Sequence, residues 1–421
     1  MIKTIPLLSG VVLRCFQNRR FKQGCLSVQM VRLMDDRESA MNALLPSVLL
    51  RATECYPDLR AITAQLDTLY GAAVGPIVRR IGDYQTVGLY CGFMEDRFAL
   101  PGDQILGPMI DFVREVLLSC KLENGHFLPD IVESEKKNLI ATIESERNDK
   151  RAYAMGRLLK EMCRSDSFGL PRLGEKKQVA AIEPAKLYDH YQKILRESPV
   201  EIFYVGSFEP EQVAALLMPV FESVDRCYVN LPAQTGYHMS ESVHTSEAMD
   251  VTQGKLCMGF TTPITNRHEE FAAMQLFNTI FGAGMTSKLF MNIREKMSLC
   301  YQIGSGYHGS KGIVTVSAGI DFDKEDVTRQ EILAQLAACC NGEISDEELT
   351  AAKEAVLSSL RATHDSPGAI EGYYATGALS GMTMTPAQYM DAVERVTVQQ
   401  VVDAANTVKL HSSFFLKGVS V

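Results

Sequence analysis

The chain has 421 residues, 46% of them hydrophobic and 22% charged, with a formal net charge of −9. That length suits two domains, and the apolar fraction suffices for two cores. The mild acidity, with no basic stripe, argues against nucleic acid as a partner, and no stretch reaches the roughly 18–20 apolar residues that cross a bilayer.

Eleven cysteines are scattered along the chain, none in a C-x-x-C pair. In a chain this long, that pattern reads as reduced thiols in a cytoplasmic protein. Met1 to Phe16 does not read as a signal peptide, because Ser9, Gly10 and Arg14 interrupt its apolar residues.

The opening reads as strands, Gly10–Phe16 and then Cys25–Arg32 with period-2 character, around a polar turn at Gln17–Gln23. Helical spacing follows from Glu38 to Arg51, and from Leu59 to Tyr70 with a stop at Gly71. Tyr84–Phe93 and its neighbours read as strand, and two long helices are expected near Gln104–Cys120 and Ile131–Arg164. Then come a helix at Pro184–Leu195, a buried strand at Val200–Val205 and a helix at Pro210–Phe221. Asn230–Ser242 is rich in turn formers and reads as a linker.

After it the plan restarts. Lys255–Thr262 reads as strand, Glu269–Phe281 and Thr286–Lys296 as helices, and Ile313–Ile320 as strand. Ser345-Asp-Glu-Glu348 is a capping box opening a helix to about Ala362. Val179, Ile182, Leu187 and Ile194 recur as Val393, Val396, Val401 and Val408 at a constant offset of 214 residues, and a strand follows each set. A period that long indicates a duplicated domain. Helix pairs mixed with antiparallel-type strands indicate α+β in each half, about 1–229 and 243–421, joined by the linker 230–242.

The stretch Phe281-Gly-Ala-Gly-Met-Thr-Ser-Lys-Leu-Phe-Met-Asn-Ile-Arg-Glu-Lys-Met-Ser-Leu-Cys-Tyr301 closely resembles a segment of pitrilysin-type (insulinase-like) zinc metallopeptidases. That segment reads Phe-Gly-Gly-Gly, a Leu-Phe helix, then Arg-Glu-Lys-x-x-Leu-x-Tyr. Ser47-Val-Leu-Leu-Arg-Ala-Thr53 is similar to the family's His-Met-Leu-Phe-Lys-Gly-Thr, and Leu66–Gly71 sits where the family has a Leu-Gly-Gly turn. The resemblance spans nearly the whole chain and implies two homologous α+β domains of pitrilysin/LuxS-like metallohydrolase architecture. Leu69-Tyr-Gly-Ala72 and Glu144-Ser-Glu-Arg-Asn-Asp-Lys150 most resemble the bacterial YmfF-like subgroup. That likeness implies a link to modification of translation elongation factor P.

The same register lays the family's His-x-x-Glu-His zinc motif over Ala43-Leu-Leu-Pro-Ser47. Ala43 and Ser47 replace the histidines, Pro46 the catalytic glutamate, and Thr142 (Ala141 if slipped by one) the distal ligand. Independently of any register, no histidine precedes His126, whereas catalytic zinc needs three protein ligands and an open water position. The resemblance therefore implies a non-catalytic chain with no zinc of its own. It further implies a partner subunit with an intact His-x-x-Glu-His motif, and a peptide or protein substrate. Arg294 and Tyr301 match the family's substrate-contacting pair, and Gly282 and Gly284 its glycine-rich loop. Read from residue type alone, Arg294 is a helix-surface cation beside Glu295, and the glycines form a cap and turn. Two further readings stay open: a structural scaffold without a peptidase role, and a hydrolase with a relocated metal or thiol. For the latter, His268-Glu-Glu270, His364-Asp365 and Cys339-Cys340 are the available clusters.

Overall fold

A long buried run builds the first sheet, with residues 24–32 buried throughout. Its strands are β1 (Ile2–Leu8), β2 (Val11–Gln17), β3 (Gln23–Leu33), β4 (Ala73–Ile81) and β5 (Tyr84–Met94). A short hairpin of β6 (Leu122–Glu123) and β7 (His126–Phe127) stands apart, and β8 (Val200–Gly206) completes the sheet in the order β1-β2-β8-β3-β5-β4. The second sheet holds β9 (His244–Met249), β10 (Gly254–Thr261), β11 (Cys300–His308), β12 (Ile313–Ile320) and β13 (Lys409–Gly418), ordered β11-β12-β10-β13-β9. These coordinates are a computed structural model that describes residues 2–232 and 241–419. The linker expected at 230–242 falls largely outside the described residues.

Without β1, the two sheets are one permutation used twice: β2-β8-β3-β5-β4 against β9-β13-β10-β12-β11. Strand sense agrees as well. β2 runs parallel to β8 and β9 parallel to β13, while every other neighbouring pair is antiparallel. All eight residues matched at the offset of 214 are buried, as repeated core positions must be. The backbone enters the left-handed region just before each repeat's edge strand, at Tyr70 and Gly71 ahead of β4 and at Ser298 ahead of β11. The α+β duplication is thus present at the level of topology and register.

Two expected elements differ. The long helix at Ile131–Arg164 is two helices, Pro129–Asn148 and Lys150–Met162. Asp149 breaks it: its backbone is extended, and its carboxylate accepts the amides of Arg151 and Ala152, each at 3.0 Å. The stretch read as helices at Glu269–Phe281 and Thr286–Lys296 is α-helical only over Phe271–Asn278. It then widens to π-helix at Thr279–Ala283 and again at Leu289–Lys296. The Ser345 capping box forms as spacing predicts, with the Ser345 hydroxyl accepting the Glu348 amide at 3.1 Å and the Glu348 carboxylate accepting the Ser345 amide at 2.9 Å.

Each compact unit gathers three stretches of chain. The first comprises Met1–Glu144, Leu170–Ala233 and His364–Thr376; the second comprises Ser145–Gly169, Gln234–Thr363 and Gly377–Val421. In the first, the segment from the C-terminal half packs Ile370 with Cys25 and Val205. In the second, Ala154 and Leu158, from the N-terminal half, pack with Cys257, Phe414 and Leu416.

Candidate functional site

Helix Ser39–Leu49 carries the positions that match the zinc motif. Ala43 and Pro46 are buried and Ser47 is half-buried. Pro46, inside the helix, has no N–H and cannot donate to the carbonyl of Asn42. Thr142, exposed on the helix Pro129–Asn148, donates its hydroxyl to the Asn138 carbonyl at 3.0 Å. A methyl, a pyrrolidine ring and two hydroxyls are not the imidazole, thiolate or carboxylate donors that zinc takes, so these residues do not fit the metal. Two turns before Thr142, the buried Glu135 carboxylate is held 2.6 Å from Arg51. Among the described residues, no group of three His, Cys, Asp or Glu side chains could hold a metal ion.

A buried polar chain runs through the same helix. Gln85 donates to the carbonyls of Ser39 (3.1 Å) and Arg172 (2.7 Å), so its own oxygen must accept from Asn42 (2.8 Å). The Asn42 oxygen then faces His190 Nε2 at 2.7 Å, which assigns that nitrogen its proton. Burial pushes His190 down to about 4, against the pull of Glu38. The unfolded chain therefore binds this proton more readily than the folded one. The stabilisation is complete above about pH 6.5, the ordinary histidine value, and is lost as pH falls towards 4. Urea unfolding midpoints measured from pH 7.5 to 4.5 are expected to drop across that window, and His190→Gln is expected to flatten the drop.

The second constellation lies on the two π-helical stretches. Gly282 is closely packed: a β-carbon there would meet the Leu289 side chain at 2.6 Å and the Ser305 hydroxyl at 2.7 Å, so both side chains would have to shift. Ser305 donates to the Asn278 side chain at 2.8 Å, tying β11 to the preceding helix. Gly284 is extended (φ −130°, ψ 166°), and no atom lies closer than 4.0 Å to its missing β-carbon. The second stretch ends on a wide-turn bond from the Met297 amide to the Asn292 carbonyl at 3.0 Å. Ser298 then turns at φ +51° into β11, the edge strand of its sheet. Single π-helical turns are rare and cluster at functional sites.

Arg294 points outward, its guanidinium 4.6 Å above the Phe290 ring and its Nε 3.7 Å from the Glu295 carboxylate. Tyr301, 68% exposed, is the second residue of β11, on the other side of the Ser298 turn. A guanidinium fork and a phenol hydroxyl suit the carbonyls of a peptide backbone. Sequence reasoning missed a third component. Among the described methionines, the exposed ones are Met285, Met291 and Met297, all in this segment. Exposed methionine gives an adaptable apolar surface, but nothing in the sequence marks which methionines are exposed.

The alternative clusters are held in local structure. His268 Nδ1 accepts the Thr265 amide at 3.0 Å, and His364 packs against Phe16 with ring centroids 6.1 Å apart. Cys339 is buried and its thiol is pushed up to about 12, first by desolvation, which leaves it no thiolate near neutrality.

Residues 181–356 match the family described as "Peptidase M16 inactive domain". A protein of Bacillus subtilis (strain 168) named "Probable inactive metalloprotease YmfF" is 28% identical over 412 residues, 97% of this chain and 96% of its own length. A crystal structure of a conserved protein from Enterococcus faecalis V583 superposes with a TM-score of 0.91 at 26% identity, over 100% of this chain and 99% of that one. The crystal structure of a peptidase M16 inactive domain from Pseudomonas fluorescens superposes at 0.80 over 100% and 98%; at 17% identity it shares the fold alone. In fold and in near full-length sequence likeness, the chain is similar to inactive-type proteins of the pitrilysin (M16) metallopeptidases.

Proposed function

We propose that the chain is the non-catalytic, substrate-positioning subunit of a two-subunit cytoplasmic peptidase. Its partner carries the intact His-x-x-Glu-His motif, binds zinc and supplies the general base. This chain supplies Arg294 and Tyr301 to the backbone of a peptide substrate, with Gly282 shaping the loop behind them. The observation that supports this over a scaffold is the exposure of the pair. Among the described residues, Arg294 is held by its neighbours Phe290 and Glu295, and Tyr301 is mostly in solvent, so the fold itself asks little of either. The subgroup resemblance makes elongation factor P modification the setting in which to look for the substrate.

Purification of the tagged chain from its native cells tests this directly. A stoichiometric His-x-x-Glu-His protein should co-elute, with zinc and peptidase activity that the isolated chain lacks. Arg294→Ala should leave the complex assembled and lower its kcat/KM at least tenfold, the scale of losing a charge-assisted hydrogen bond of about 1.5–3 kcal/mol. Unchanged activity in an intact complex would reject the substrate role and favour a scaffold.

A further inference from the structure

Three cations gather in the second unit, where the helix Lys150–Met162 begins beside its sheet. Arg151 Nε donates to the Ser317 hydroxyl at 3.0 Å, and one of its terminal nitrogens lies 3.9 Å from where a β-carbon on Gly304 would sit. Lys255 Nζ lies 3.3 Å from the corresponding point on Gly319. Strand register sets Gly304 opposite Ser317, and Gly319 opposite both Lys255 and Gln302. Ser317 and Gly319, two apart on β12, share one face. Arg151 and Lys255 thus stand over neighbouring positions of one sheet face, beside two glycines, with the Gln253 side chain lying over Gly319 and accepting from Lys255. Lys150 and Lys255 also line a cavity of about 410 Å³ walled by Asp250, Val251, Thr252 and Gln253.

The charges here are unbalanced. Among the described residues, no carboxylate lies within ion-pair distance of Lys150, Arg151 or Lys255. By contrast Arg157, two turns along the same helix, meets both Glu161 and Glu247 at 3.4 Å. Asp149 is occupied in capping the helix, and Asp250 is an exposed wall residue. The Lys255 ammonium is pushed below its ordinary value, first by burial and then by Arg151, whose repulsion outweighs the pull of Asp149. A chain of net charge −9 has acids to spare, so cations left together without one form a place for an anion from outside.

We propose that this face is an oxyanion subsite, in which Arg151 and Lys255, with Lys150 beside them, hold a carboxylate or phosphate group of a ligand whose remainder fills the adjoining cavity. Arg151 presents a planar fork and Lys255 a point charge, a combination that suits a tetrahedral or planar oxyanion. Gly304 adds no side chain beside the Arg151 fork, and the Gln253 amide over Gly319 offers a further polar contact. This subsite does not depend on the peptidase-subunit reading, since binding is measured on the isolated chain.

Calorimetric titration of the full chain at fixed ionic strength tests it. The probes are inorganic phosphate, and an N-acetylated tripeptide with either a free or an amidated C-terminus. Saturable one-to-one binding of phosphate, or of the free-carboxylate peptide over its amide, is expected, and whichever binds identifies the source of the anion. Arg151→Gln and Lys255→Gln should each weaken binding at least tenfold, while Lys186→Gln, an equal change of charge at an exposed lysine, should not. If Arg151→Gln fails to fold, Lys255→Gln decides alone. The Lys255 ammonium should also titrate at higher pH once the anion is bound, read by NMR of the lysine Nζ. Absence of saturable binding by both probes, or binding undiminished in the variants, would overturn the proposal.

Discussion

Replacing Lys311 by methionine is expected to destabilise the chain by about 3–5 kcal/mol, the scale of breaking a buried ion pair from one side. Lys311 Nζ lies 2.8 Å from Asp166, and both side chains are wholly inaccessible to solvent. Lys311 sits in the turn between β11 and β12, where its amide donates to the His308 carbonyl at 3.0 Å. Asp166 follows the helix Lys150–Met162 and accepts the Phe168 amide at 2.8 Å. The pair therefore fastens the end of that helix to the sheet beneath it. Methionine matches the length of lysine but takes from the buried Asp166 carboxylate the ammonium 2.8 Å away. Much of the loss is the cost of a buried charge that has lost this ammonium rather than the worth of the pair itself. The double variant Lys311→Met with Asp166→Leu should consequently recover most of the stability. Urea midpoints at unchanged m-value would read both results, and adding salt should alter neither, because the pair is shielded from counterions. A single variant within about 0.5 kcal/mol of the parent would show that the pair is not held as described.

Glu371→Ala is expected to cost a similar amount, through a different failure. The Glu371 carboxylate is 1% exposed and accepts from Ser27 (2.8 Å), Gln29 (2.8 Å) and the Arg79 fork (2.9 and 3.0 Å). Truncation strands one cation and two buried neutral donors at once, about 3–5 kcal/mol by the cost of leaving such groups unpaired. The effect should begin locally. Cys25 is buried beneath Ile370, its thiol pushed up to about 12 chiefly by desolvation. Once the segment around Glu371 loosens, Cys25 should react faster with a neutral thiol reagent, even under conditions where most of the chain stays folded. Global destabilisation with no gain in Cys25 labelling below the unfolding transition would argue that the segment does not open separately.

How far the sequence discloses this fold depends on how local the signal is. The four core pairs at the offset of 214 were visible because apolar residues recur at fixed spacing, and all eight are buried. Strands β1, β9 and β11 were not anticipated. β9 (His-Thr-Ser-Glu-Ala-Met) is an edge strand with no residue in the core, and β11 carries two glycines and a serine, a composition that reads as loop. The break at Asp149 was hidden in a charged run without proline or glycine, because a single side-chain cap does the breaking. The Gly282-to-Tyr301 segment was legible as a motif, but its π-helical form was not, since apolar spacing over so few residues does not separate that winding from an α-helix. The Glu371 network could not be read at all, because Ser27, Gln29 and Arg79 lie some three hundred residues from their acceptor.

The interleaving of segments bears on how such a chain can be cut and inherited. A fragment ending at residue 229 keeps the first sheet but loses Ile370 and Glu371, and so leaves Cys25 uncovered and Arg79 unpaired. A fragment starting at 243 loses Ala154 and Leu158 from above β10 and β13. Each half lacks a segment that packs in its own compact unit, although the two halves share one strand order. Two molecules of one half could complete each other by trading the missing helix. The duplicated chain thus has the plan of two copies of one sheet, each completed by a segment from the other half of the sequence, so that neither copy can be cut out at the linker without leaving part of its packing behind.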